Sequence, residues 1–313
     1  MTRPVVYVAL QQFCEADDRP RRLLQEAGVA VNVNRLGRRM KREDLLRELP
    51  GVDAVLAGIE PYDAELLAAL PQLRCISRCG VGTDAIDLEA AQRLGVAVLT
   101  TGDEVVEPVA QLTIAMMLAL ARQIPEHLAD ARQGRWTKRT GVLLSEWTIG
   151  LVGFGRIGRR VEQYLRPFQP TVLVADPQAT SSELPKSVHL RSLETLLVEA
   201  DCVSLHVSRP RTEGVVIGRK EFALMKPGAA LINTSRGYLV DEAALHDAIQ
   251  EHRLSAAALD VFEAEPHVGP LATLPQVLCT PHIGSLTRAS RMAMEQRCAQ
   301  HVVDFFAAAS TRR

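Results

Sequence analysis

No two of the six cysteines (Cys14, Cys75, Cys79, Cys202, Cys279, Cys298) form a CxxC pair, and no histidine cluster accompanies them. That removes zinc-ribbon and dithiol redox motifs from consideration. The apolar neighbours of Cys202 and Cys279 are those of reduced thiols in a core. Excess charge of either sign is missing too, with 36 Lys and Arg against 37 Asp and Glu and a formal net charge of -1. Electrostatics therefore gives no general case for nucleic acid or for an anionic membrane as partner. Lysine is scarce, at Lys41, Lys138, Lys186, Lys220 and Lys226, and arginine supplies the remaining basic charge. The longest apolar run, "VAQLTIAMMLALA" from Val109 to Ala121, contains Gln111 and is shorter than a bilayer span, so it reads as a buried helix. The start, "MTRPVVYVALQQ", lacks the apolar core and cleavage site of a secretory signal, and the expected location is cytoplasmic. No repeat or low-complexity tract is present.

What the chain does have is a strand–helix rhythm. At 313 residues, 47% hydrophobic and 23% charged, it has the length of about two globular domains. "VVYVAL", "VAVNV", "VDAVLAG", "LRCISR" and "VAVLT" read as strands, separated by helical patterns that end at Gly or Pro. Such alternation implies parallel pairing with right-handed crossovers. After the apolar helix and the polar connection "RQGRWTKRTGVLLSE", a second series runs through "TIGLVG", "TVLVAD", "DCVSLHV", "AALINTS", "SAAALDV" and "QVLCT". The final helical segment has no strand partner left in that series, so the chain is expected to return to the first unit. The expected fold is α/β with two doubly wound parallel-sheet domains and a cleft between them. The first, flavodoxin-like, comprises residues 1–99 plus 287–313; the second, of the Rossmann type, residues 100–286.

The second series opens on Gly153-x-Gly155-x-x-Gly158, directly after a strand and at the start of a helix. In that setting the first glycine makes the tight turn, the second admits a pyrophosphate, and the third lets helix and strand pack closely. Helix N-terminal amides, here of Arg156, Ile157 and Gly158, favour the phosphate charge. Asp176 ends the next strand, eighteen residues past Gly158. A carboxylate there accepts hydrogen bonds from ribose hydroxyls and repels a 2′-phosphate, which points to NAD rather than NADP.

Three later strand ends carry chemically capable side chains. "LINTSRG" ends with Arg236, "ALDVFEAEP" carries Asp260 and Glu265, and "LCTPHIG" carries His282, held between a proline and a glycine. Strands of such a sheet deliver functional groups at their carboxyl ends. An arginine, a carboxylate and a histidine placed there suit reversible oxidation of an alcohol beside a carboxylate. Thr234, Ser235, Gly284 and Ser285, which flank these residues, and His206, at another strand end, are candidate cofactor contacts. Trp136 and Trp147 read as core or interface residues, and Cys79 as packing.

In "RCGVGTDAIDLEAA", "VGFGRIGRRV", "INTSRGYLVDEAAL", "ALDVFEAEP" and "TPHIGS" the chain resembles the D-isomer-specific 2-hydroxyacid dehydrogenase family over nearly its whole length. "LARQIPEHLADARQGRW" and the spacing of the later motifs resemble its phosphoglycerate dehydrogenase branch most closely. The resemblance implies that His282 exchanges the C2 hydroxyl proton and that Glu265 orients its ring and favours the imidazolium. It implies that Arg236 holds the substrate carboxylate, that Asp260 contacts the nicotinamide end, and that Gly80, Val81 and Gly82 offer backbone amides to the same carboxylate. It further implies a homodimer built partly on the apolar helix, a small anionic 2-hydroxy or 2-keto acid as substrate, and no metal.

The chain departs from the family pattern at several places. Val105 stands where an Asn is expected and Gln111 where a Glu is expected. Ser208 replaces a proline in "SRPRTEG", and both that loop and "EPHVGPLATLP" are short. These changes bear on substrate identity rather than on reaction type; Arg209 and Arg211 are candidates for a second anionic group. No C-terminal regulatory extension is expected. Two alternatives stay open: a hydroxypyruvate or glyoxylate reductase, and a NAD(H)-sensing co-regulator without turnover. Glu265 argues against a formate dehydrogenase, which pairs the histidine with an amide.

Overall fold

In a computed structural model of the protein, residues 3–208 and 214–311 are described. Arg209 and Arg211 lie outside them. The chain divides into two compact units, Met1–Val105 with Ser285–Arg313, and Val106–Gly284. The sequence pattern had suggested divisions near 99 and 286.

The first unit begins with β1 (Val5–Val8), α1 (Arg19–Glu26), β2 (Ala30–Val33), α2 (Arg42–Glu48), β3 (Ala54–Ala57), α3 (Ala64–Ala68), β4 (Cys75–Arg78), α4 (Leu88–Arg93) and β5 (Ala97–Thr100). Its strands form one sheet in the order β2-β1-β3-β4-β5, every pair parallel. That is the flavodoxin order.

The second unit carries α5 (Val106–Ala121), α6 (Ile124–Arg132), β6 (Thr148–Val152), α7 (Arg156–Leu165), β7 (Thr171–Ala175), β8 (Val188–Leu190), α8 (Leu193–Glu199), β9 (Cys202–Leu205), α9 (Arg219–Leu224), β10 (Ala229–Asn233), α10 (Glu242–Gln250), β11 (Leu254–Leu259) and β12 (Val277–Cys279). Its sheet runs β12-β11-β10-β9-β6-β7-β8, again parallel throughout. Counted within the unit this is the dinucleotide-binding order extended by one strand, and it reverses between β6 and β9. β9 and β10 are buried along their whole length, as expected of strands with helices on both faces. The last helix, α11 (Arg288–Thr311), belongs to the first unit and buries Met294, Cys298, Ala299 and Val302.

Short polar residues start many of the helices. Asp63, Asp87, Ser192 and Asp241 each accept a hydrogen bond from the amide three residues on, opening α3, α4, α8 and α10. Three elements differ from the sequence reading. β8 was not expected: it is three residues long, lies at the sheet edge and exposes His189 at its centre, so it has no apolar run. The segment after α5 is a separate helix, because Gln123 adopts the left-handed conformation (φ 50°) and Pro125 stands in the first turn of α6. The helical stretch containing the apolar run extends over Asp103–Ala121 and is, by length and composition alone, long enough to cross a bilayer. The sequence estimate missed this because the 3₁₀ turn Asp103–Val105 runs straight into α5. Half of that stretch is buried, and Ala110, Met116, Met117 and Leu120 join a core cluster with β6 and β10 residues.

Candidate active site

The reversal of strand order between β6 and β9 creates the crevice at which open α/β sheets bind ligands. The glycine loop after β6 lies there against the end of β9. Gly153 has φ +93°, and a Cβ on it would come within 2.6 Å of the His206 carbonyl oxygen. A Cβ on Gly158 would come within 2.4 Å of the Gly153 carbonyl oxygen. Both positions require glycine because backbone meets backbone. Gly155, the N-cap of α7, has nothing within 4 Å of its Cβ direction, which leaves room for a ligand to approach. Beside it lies the first turn of α7, residues 156–158, whose amides have no carbonyl to bond within the helix. Asp176, at the end of β7, accepts from the Phe154 amide (2.6 Å) and the Gln178 amide (2.8 Å), which fixes its carboxylate beside the loop. His206 pairs through Nε2 with Ser204 Oγ at 3.0 Å, and burial pushes its pKa down to about 4. It is neutral at physiological pH. Open space, helix amides and an anchored carboxylate fit a dinucleotide with free ribose hydroxyls.

The adjacent strand ends carry the reactive groups. His282 Nδ1 lies 2.8 Å from Glu265 Oε2 and 3.1 Å from Oε1. The imidazole therefore presents Nδ1 to the carboxylate and leaves Nε2 for other chemistry. His282 has φ 54°. A non-glycine residue there costs of order 1 kcal/mol, which the surrounding hydrogen bonds must offset. Proline and glycine were read as aiming the ring; the unusual angle belongs to the histidine itself. Glu265 Oε1 also accepts from the Phe262 amide at 3.2 Å.

Arg236 follows β10. The buried Asn233 side chain accepts from the Ser235 amide (3.0 Å) and donates to the Arg236 carbonyl (2.8 Å), closing the turn that presents the guanidinium. Gly237 was missed by the sequence reading: a Cβ there would lie 1.9 Å from the Phe262 carbonyl carbon. Contact between these two backbones sets the Arg236 turn against the Glu265 loop, and only glycine permits it. Ser235 donates to the Val207 carbonyl. The Thr234 hydroxyl is buried and bonds Thr113 of α5 at 3.0 Å, so it ties strand to helix. Gln111 is exposed and donates to Glu107 at 3.0 Å, while Val105 is buried. Trp147 packs on the core, whereas Trp136 is 88% exposed. Ser285 belongs to the other unit.

In the first unit, Gly80 follows β4 with φ +145°, and its amide bonds the Arg78 carbonyl at 3.0 Å. It is therefore not available to a ligand. The Val81 and Gly82 amides have no hydrogen-bond partner among the described residues. The Arg78 guanidinium lies over Gly80, where a Cβ would come within 2.4 Å of Nη1. Arg78 was not singled out from the sequence, although an arginine closing a strand two residues before a glycine loop is a visible cue. Next to it, burial raises the pKa of Glu60, opposed by the Gly58 amide and by the charges of Arg78 and Arg39. Cys79 is buried beside Cys298 and Arg291, in keeping with a packing role.

Residues 114–284 match the family model "D-isomer specific 2-hydroxyacid dehydrogenase, NAD binding domain". A D-3-phosphoglycerate dehydrogenase of Archaeoglobus fulgidus is 36% identical over 85% of this chain and 51% of its own length. A glyoxylate reductase of Thermococcus litoralis is 37% identical over 83% of this chain and 82% of its own. The chain belongs to the D-2-hydroxyacid dehydrogenase family. Its second unit is the NAD-binding domain of that family. Among solved structures, the D-lactate dehydrogenase of Aquifex aeolicus complexed with NAD and lactic acid superposes with a TM-score of 0.85. The two are 28% identical, and the match covers 97% of this chain and 96% of that one. The chain spans about half the length of the D-3-phosphoglycerate dehydrogenase relatives it matches.

Proposed function

We propose that the protein is an NAD-dependent oxidoreductase that interconverts a small anionic D-2-hydroxy acid and its 2-keto acid. The observation that carries the reading is the 2.8 Å His282–Glu265 contact in the NAD-binding unit. When bound, NAD would supply the hydride acceptor for oxidation at C2 and, as NADH, the donor for reduction. Gly153, Gly155 and Gly158 shape the pyrophosphate cradle, and Asp176 takes the ribose hydroxyls and disfavours a 2′-phosphate. His282 Nε2 removes the hydroxyl proton during oxidation and returns it during reduction, while Glu265 keeps the ring oriented through Nδ1. Arg236 offers a planar fork to the carboxylate and the C2 oxygen.

In the first unit, the Val81 and Gly82 amides after β4 are candidate contacts for an anionic group. We favour an acid with a second negative group, such as 3-phosphoglycerate, because the sequence motifs resemble the phosphoglycerate dehydrogenase branch and the 36% identical Archaeoglobus fulgidus relative is a D-3-phosphoglycerate dehydrogenase. A hydroxypyruvate or glyoxylate reductase is the second reading, favoured by the match over 82% of the Thermococcus litoralis protein. We assign a homodimer, with the exposed apolar residues Leu118, Ile124, Leu128 and Trp136 on and after α5 as its contact surface. The reducing cytoplasm suits its six free thiols.

Assay of NADH oxidation with 3-phosphohydroxypyruvate, hydroxypyruvate, glyoxylate and pyruvate tests the reading. The phosphorylated acid is expected to give the highest kcat/KM, and His282→Ala to lose turnover while still binding NADH. Tight NADH binding with no turnover on any acid would favour a sensor. Full activity of the His282→Ala enzyme would refute the proton-transfer role.

A further inference from the structure

The acid–base role of His282 leaves open what holds its turn in a left-handed conformation; beside main-chain bonds from the His282 amide to the Asp260 and Thr280 carbonyls, three hydrogen bonds of that turn end on one buried carboxylate. We propose that Asp260 is a positioning residue whose carboxylate fixes the loop that carries His282. The proposal rests on the dehydrogenase reading above.

Asp260 follows β11 and is only 1% exposed. Its Oδ1 accepts from the Thr280 hydroxyl at 2.6 Å and from the Ile283 amide at 2.7 Å. Its Oδ2 accepts from the Gly284 amide at 2.8 Å, and its main-chain carbonyl accepts from the His282 amide at 2.9 Å. One residue thus bonds four of the five residues from 280 to 284, on both sides of the histidine. Every one of these bonds needs Asp260 as the acceptor. A carboxylate with two acceptor oxygens meets that demand; a carboxamide would set its NH2 against an amide or a hydroxyl that donates. Gly284 belongs to the same device, since a Cβ there would lie 3.0 Å from Asp260 Oδ2 and 3.2 Å from Val109 Cγ2. A side chain would push the amide off the carboxylate.

The family resemblance placed Asp260 at the nicotinamide end of the cofactor. In this structure its hydrogen bonds converge on the histidine turn. Loss of the carboxylate would therefore disturb the His282–Glu265 pair and spare the glycine loop and Asp176, which do not bond it.

The test compares Asp260→Asn, Thr280→Val and His282→Ala with the native enzyme, using the best keto acid of the panel and rates normalised to NADH-binding sites. Asp260→Asn is expected to lower kcat about 100-fold, the size of effect that a misplaced catalytic group produces. KM for the keto acid and Kd for NADH should each stay within about threefold, as for groups that share no partner with the loop. Thr280→Val, which removes one hydrogen bond, should lower kcat by about threefold to tenfold. Nitrogen NMR of histidine-labelled enzyme should show a single Nδ1–H tautomer for His282, assigned by its loss in His282→Ala, and a tautomer mixture in both loop variants. A merely structural role would leave that tautomer unchanged in the folded fraction. A large rise in NADH Kd with kcat preserved would overturn the proposal in favour of a cofactor contact. If Asp260→Asn does not fold, Thr280→Val decides: native kcat and tautomer in that variant overturn the proposal. An active His282→Ala enzyme would instead sink the dehydrogenase mechanism itself.

Discussion

At the scale of the residue, two glycines of the cofactor loop separate fold from function. Gly158 faces the Gly153 carbonyl at 2.4 Å from a would-be Cβ, whereas Gly155 faces open space with an ordinary φ of -72°. Gly155→Ala should leave the thermal midpoint unchanged yet weaken NADH binding at least about tenfold, because the methyl occupies the path of the pyrophosphate. Gly158→Ala should lose both, since backbone must move to admit the methyl. Thermal melts with NADH fluorescence titration check the pair; native affinity in Gly155→Ala would mean that the pyrophosphate does not pass over it. Glycine spacing was legible because it sits within one short segment after a strand. His282 and Glu265 were legible as strand-end residues. Gly237 was not, because the chain it touches at Phe262 is distant in sequence, and a glycine gives no hint of which backbone it must admit. The hydrogen bonds of Asp260 were likewise hidden, since an acid at a strand end can face a ligand or cap a turn equally well.

At the scale of the element, what could be read depended on local chemistry. The capped helices α3, α4, α8 and α10 each begin at Asp or Ser and bury apolar residues, a local signal that needs no distant partner. β8 has no such pattern, and its place comes from pairing with β7. The stretch after α6 lacks helix and strand, and ion pairs hold it instead. Asp130, buried in the last turns of α6, accepts from Arg139 Nη1 at 2.5 Å and from Arg135. These bonds hold its pKa down to about 2, against an ordinary value of 3.8. A depressed acid stabilises the fold fully above its unfolded pKa and progressively less as pH falls through the folded one. Asp130→Asn should therefore lower the urea midpoint at pH 7. The gap to the native protein should shrink below pH 4, with about half of it gone by pH 3. A gap that stays constant from pH 7 to pH 3 would show that the aspartate acts through packing rather than charge.

At the scale of the whole molecule, the order of elements along the chain matters most. The first unit is completed only when the chain returns as α11, and the sequence implied that return because the last helix had no strand partner left. What the sequence did not show is how the return is secured. Glu295 of α11 is buried, accepts from the Cys14 amide at 2.9 Å and pairs with Arg291 at 2.8 Å. Arg291 in turn donates to the Gln12 carbonyl at 3.0 Å. One acid–base pair thus joins the last helix to the loop after the first strand, some 280 residues apart. Glu295→Ala strands the Cys14 amide and the Arg291 charge, at a cost of about 1–3 kcal/mol. The urea midpoint should fall accordingly. NADH affinity should stay within about twofold, because Gly153, Gly155, Gly158 and Asp176 all belong to the other unit and share no partner with Glu295. Equilibrium unfolding followed beside NADH titration distinguishes the outcomes. A parallel loss of affinity and stability would mean that closing the first unit also governs the cofactor cradle.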